Sequence, residues 1–217
     1  MHHRPIVATA AACLVLLSAC ASPHQTSGSD SAPKAAAAAL PHDAVLPVGP
    51  GPQAHYAVQP QPAAGTCHYR HTPSGEPLPD VTCTPGATNP KVTPGTIAST
   101  ICAPGGYTGK IRPPVNVTNV EKKGNARSYG FTGPLGDAEY DHLISLQLGG
   151  DPNDPRNLWV EPPDPGHKPG AGPNNNKDKV ETALHTAICK HKTGLVQAQR
   201  AIAEDWTTAL TRLGLAR

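Results

Sequence analysis

Apolar positions recur with helical spacing over the last third of the chain. Val180, Leu184 and Ile188 fall four apart with Lys and Glu on the other side, which predicts a helix from about Asn175 that breaks at Thr193-Gly194. Leu195, Ala198, Ile202, Trp206, Leu210 and Leu213 then share one face of a last helix. Upstream the pattern changes. Leu143, Ile144, Leu146 and Leu148 form an apolar run ended by Gly149-Gly150, and D-P-N-D-P at Asp151 to Pro155 is dense in turn formers. Asn157 to Val160 reads as a second short strand, so the region is expected to be a hairpin, followed by a Pro/Gly loop from Pro162 to Pro173. Earlier signals are more local. Thr93-Pro94 offers an N-cap and a Pro at the first helical position, predicting a short helix to Cys102. Tyr107 to Arg112 reads as a strand stopped by Pro113-Pro114, and T-N-V-E at Thr118 to Glu121 has capping-box spacing for a helix to about Ser128. Two antiparallel helices around a small hairpin give an α+β fold class.

Composition limits how much of the chain packs. With 26 Pro and 21 Gly, one Phe, one Met and 4% aromatics, only a modest core is available. Residues 21–65 are Ala, Pro, Ser, Gly and Gln with scattered His24, His42 and His55, and no apolar period. They read as a disordered tether with a reach of roughly 35–40 Å. The net charge of +2 is not that of a dedicated nucleic-acid binder, so any such activity needs a local patch or a bound cation.

The N-terminus reads as a targeting segment. Arg4 precedes an apolar run, Ile6 to Leu17, that is short for a membrane span. It ends in L-S-A-C at Leu17 to Cys20, which resembles the bacterial lipoprotein processing box; the resemblance implies a signal peptide over 1–19 and a diacylglycerol on Cys20. The expected protein is therefore exported and lipid-anchored to the outer face of the cell membrane. An ordinary signal peptide with an incidental cysteine is the alternative. In an oxidising compartment Cys67, Cys83, Cys102 and Cys189 predict two disulfides, with three connectivities open. Cys67–Cys83, stapling a Pro-rich segment, and Cys102–Cys189, tying an upstream segment to the late helix, are the favoured pairs; a zinc site is the rival, disfavoured by the compartment and by the lack of a Cys-x-x-Cys pair. The domain is expected to divide into a stapled part, 66–136, and a core, 137–217.

The chemistry concentrates at D-H-L-I-S-L-Q-L-G-G, Asp141 to Gly150, and R-N-L-W, Arg156 to Trp159. A carboxylate can hold a hard cation while a neutral imidazole takes a proton from water. In isolation an Asp-His pair is usually a surface ion pair or cap. With G-G, N-L-W and the later K-D in this order, the segment resembles the HNH, or ββα-metal, nuclease superfamily, most closely from Glu139 to Glu181, and exported bacterial proteins with an HNH-like domain. The resemblance implies a small ββα-metal core with flanking helices, hydrolysing phosphodiester bonds in DNA or RNA with one Mg²⁺ or Mn²⁺. Asp141 would bind the metal, His142 would be the general base, and Asn157 would brace the loop and orient the histidine. Within P-N-N-N-K-D, Asn175 would be the second metal ligand with Asn174 next, and Lys177 or Lys179 would contact phosphate. The third His of a strict triad is absent, and Ser145 stands where many members have Pro. His185 and His191 read as surface residues. The competing expectation is a catalytically silent cell-surface binding or structural lipoprotein that keeps the fold. No protein partner is inferable.

Overall fold

A computed structural model describes residues 45–173 and 175–216 of the chain. The signal peptide, Cys20, the first part of the tether and Asn174 lie outside the described residues. What is described is a mixed α+β domain with two small two-stranded sheets and two disulfides.

The first sheet pairs β1 (Arg70–His71) with β2 (Pro77–Leu78), Arg70 opposite Leu78. Cys67–Cys83, with Cα atoms 5.9 Å apart, staples its base. The chain then passes a 3₁₀ turn, Ile97–Ser99, and enters α1 (Tyr107–Ile111) and α2 (Val115–Ser128). The strand expected over Tyr107–Arg112 is therefore a helix. The stretch holds too few apolar positions to separate the two periods, and Tyr107 and Ile111, four apart, fit a helical turn. α2 starts directly after Pro114, not at Thr118, because a proline is already set for a helix entry and lacks the N–H that would go unpaired there.

The second sheet is the hairpin of β3 (Glu139–His142) and β4 (Leu158–Glu161), antiparallel, with Asp141 opposite Trp159 and His142 opposite Leu158. The apolar run after His142 does not continue the strand. Leu143 makes one more ladder bond, N–H to the Asn157 carbonyl at 2.8 Å, and Leu146–Leu148 then form a 3₁₀ turn buried in the core. Gly149, at φ +76°, closes that turn, and a Cβ on Gly150 would lie 1.6 Å from the Ile144 carbonyl oxygen. The Gly-Gly pair is thus required by a fold-back.

α3 (Lys177–Cys189) follows the Pro/Gly loop, and α4 (Leu195–Asp205) packs against it. The single last helix expected from the apolar stripe is divided. Asp205, the last residue of α4, accepts from the Thr207 N–H and hydroxyl at 2.9 and 2.6 Å, an Asx turn after which α5 (Ala209–Arg212) follows. Leu143, Ile144, Trp159, Leu184, Ile188 and Ile202 meet in the main core between hairpin and helices. The Cys102–Cys189 disulfide, Cα atoms 5.5 Å apart, ties the segment after the 3₁₀ turn to the end of α3.

The expected tether boundary at residue 65 is displaced, because residues from Val45 onward are laid on the domain. Gly51 N–H donates to Asp151 at 2.7 Å, Tyr56 hydroxyl to the Ile111 carbonyl at 2.6 Å, and Gln59 N–H to Glu121 at 2.7 Å. Ser128 Oγ donates to the Pro62 carbonyl at 2.5 Å. The strap is held by polar groups of α1, α2 and the β3–β4 loop, so no apolar period marks it.

Candidate functional site

Strand alternation puts Glu139 and Asp141 on one face of β3, with Glu161 across from Glu139 on β4. The first turns of α3 lie against that face. There Lys177, whose residue is fully buried, places its ammonium between the Asp141 and Glu181 carboxylates and donates to the His142 carbonyl at 2.9 Å. Lys177 and Glu181 are neighbours through their i, i+4 spacing. Burial disfavours charge on Lys177, but Asp141, Glu181 and Glu161 outweigh it and hold the amine protonated.

The carboxylates differ in state. Burial pushes Asp141 up, yet the Lys177 charge beside it more than compensates, and the group is ionised with a pKa below its usual value. Burial raises Glu181 to about 7, against the pull of Lys177. Glu161 is pushed well above the usual carboxylate range by burial, with Lys177 opposing and Asp141 adding to the shift. Both of its carboxyl oxygens are buried without a hydrogen-bond partner among the described residues.

His142 projects from the other face of the strand. Its Nε2 lies 3.0 Å from the Pro152 carbonyl oxygen. A carbonyl only accepts, so Nε2 carries the hydrogen and Nδ1 the free lone pair. Burial lowers its pKa to about 4, with Asp141 acting in the opposite direction, and the ring is neutral at ordinary pH. Asn157, fully buried, holds the loop that presents Pro152. Its Nδ2 donates to the Ile144 and Asp151 carbonyls at 3.0 and 2.9 Å, and its Oδ1 accepts from Ile144 N–H at 3.0 Å. It therefore supports His142 through the loop and not by a direct bond.

The remaining predicted residues are arranged otherwise than expected. Asn175 does not meet Asp141: its Nδ2 donates to Glu139 at 2.6 Å and its Oδ1 accepts the Asp178 N–H at 3.1 Å, at the start of α3. Its amide oxygen serves the helix terminus, whose orphan N–H groups need such acceptors. Lys177 is sealed between carboxylates and does not reach a phosphate from this position; a lysine beginning an amphipathic helix reads as exposed from spacing alone. Lys179 is exposed, with its ammonium 2.8 Å from Asn176 Oδ1.

The groups accepting from the Lys177 ammonium all do so through oxygen: two carboxylates and a backbone carbonyl. That set has the hardness Mg²⁺ or Mn²⁺ requires, and the place already carries positive charge. Asp141 is part of that set, and the Asn175 amide oxygen is not. Spacing did not single out Glu161 or Glu181 as members of this cluster, although Glu181 stands one helical turn after Lys177. At the far end of α3, His185 Nε2 lies 3.4 Å from Cys189 Sγ and 2.9 Å from the Ile101 carbonyl oxygen. The His-x-x-x-Cys spacing is the signal that sequence reading passed over. No protein-family model matches the chain, and no curated protein or solved structure is detectably similar to it.

Proposed function

We propose that the chain is an exported, membrane-anchored phosphodiesterase of the HNH-like kind, hydrolysing DNA or RNA with one divalent cation. One observation carries this reading: at the end of β3 an ionised carboxylate, whose oxygen cradle already holds the Lys177 ammonium, is followed on the opposite face by a neutral imidazole of fixed tautomer. His142 Nδ1 would take the proton of an attacking water, with Pro152 and the Asn157-braced loop keeping the ring in place. Asp141 would hold Mg²⁺ or Mn²⁺, which supplies Lewis acidity at the phosphate oxygens. Lys179, exposed on the first turn of α3, would meet backbone phosphate. The lipid on Cys20 would keep the enzyme at the outer face of the membrane.

A second reading has its own support. The Lys177 ammonium satisfies Asp141 without a metal, which suits a catalytically silent surface module that kept the fold. Incubating the full chain with supercoiled plasmid and with single-stranded RNA separates the two. The enzyme reading expects nicking with Mg²⁺ or Mn²⁺ that stops on chelation. Intact substrates at every metal concentration would favour the silent module.

A further inference from the structure

We propose that the Cys102–Cys189 cross-link, once reduced, becomes a zinc site completed by His185. His185 and Cys189 are four apart on α3 and so share a face, and Cys102 is brought to them across the domain by the fold. One ligand atom from each of the three residues lies within 4.8 Å of the other two. Two thiolates on one tetrahedral zinc stand about 3.8 Å apart, given Zn–S bonds near 2.3 Å, so opening the disulfide requires only a small separation of the sulfurs. All three residues are half-buried, which leaves a path for the ion and room for a water as fourth ligand. The other disulfide has no such place in the fold: Cys67 is fully buried, and among the described residues no histidine completes a group with it.

The chemistry balances as follows. A dithiol gives two electrons and two protons to the Cys102–Cys189 bond and leaves as its own disulfide. Zn²⁺ then displaces the two thiol protons, and His185 binds through Nε2, its proton moving to Nδ1. The Ile101 carbonyl, which Nε2 faces in the oxidised form, gives up that hydrogen bond. The site thus trades a covalent clamp between the 97–102 segment and α3 for a metal clamp at the same place, or for a free dithiol when zinc is absent.

The test uses the full chain, reduced with a phosphine that leaves as its oxide, and titrated with Co²⁺ and then Zn²⁺. The proposal expects one equivalent of Co²⁺ to give a near-ultraviolet thiolate-to-cobalt band and a tetrahedral visible spectrum, both removed by Zn²⁺. The oxidised chain and the reduced, alkylated chain should show neither. His185→Ala leaves both cysteines in place and should fold in the oxidised form, so it separates ligation from stability; once reduced, it should bind at least about tenfold more weakly. Circular dichroism of the reduced chain, with and without zinc, should show helix retained or recovered on binding. No cobalt band on the reduced chain, or equal affinity in His185→Ala, overturns the proposal.

Discussion

His142 and Lys177 show how burial and charge decide the state of a single group. His142 is neutral because its ring is out of water, and its folded pKa of about 4 lies below the value of about 6.5 that it takes in the unfolded chain. The unfolded state therefore binds the extra proton first as pH falls. The stability owed to the neutral ring is full above about pH 6.5 and is lost as pH drops toward 4, up to about 3 kcal/mol. Urea midpoints measured from pH 7 to 4.5 should fall in the wild type and flatten in His142→Gln. Lys177 is the converse case, a charge kept by its partners. Lys177→Met leaves Asp141 and Glu181 facing each other, and a loss of about 3–5 kcal/mol is expected. If the cradle suits a hard cation, millimolar Mg²⁺ or Mn²⁺ should restore part of that loss to the variant, and a melting temperature indifferent to both ions would argue against it.

At the scale of elements, the two disulfides constrain very different lengths of chain. Cys102–Cys189 spans 87 residues and Cys67–Cys83 spans 16. In the chain-entropy description these give about 4.6 and about 3 kcal/mol. Replacing Cys102 and Cys189 by Ser should therefore lower stability by more than replacing Cys67 and Cys83, as read from urea unfolding; the reverse order would mean that native-state contacts outweigh loop closure. The structure has the pairing favoured from the sequence, although four cysteines alone leave three connectivities open: one bridge staples a Pro-rich segment and the other ties an upstream segment to α3. The α3 stripe at Val180, Leu184 and Ile188 was legible for the same reason that amphipathic helices usually are. The strap from Val45 to Pro62 was not, because Gly51, Tyr56 and Gln59 bind through backbone and side-chain hydrogen bonds that leave no hydrophobic period. Nor did spacing reveal that Asn175 would serve the helix terminus, since in a run of Asn residues only three-dimensional neighbours decide which amide meets which partner.

Across the whole molecule, the arrangement is a two-stranded hairpin whose loop is braced by Asn157, with α3 laid across one face and the strap across α2. A modest core and near-neutral charge suffice because the disulfides and buried polar ties carry much of the organisation. The same frame places the acidic cluster on one side of β3 and the imidazole on the other, a single residue apart. The central claim is that Asp141 holds the ion while His142 activates water, and the two roles separate cleanly in one comparison. Metal binding by calorimetry and plasmid nicking should be measured side by side on wild type, Asp141→Ala and His142→Ala. The account predicts that His142→Ala binds Mn²⁺ as the wild type does yet nicks at least about 100-fold more slowly, whereas Asp141→Ala loses both. Nicking by a folded His142→Ala at the wild-type rate would contradict it.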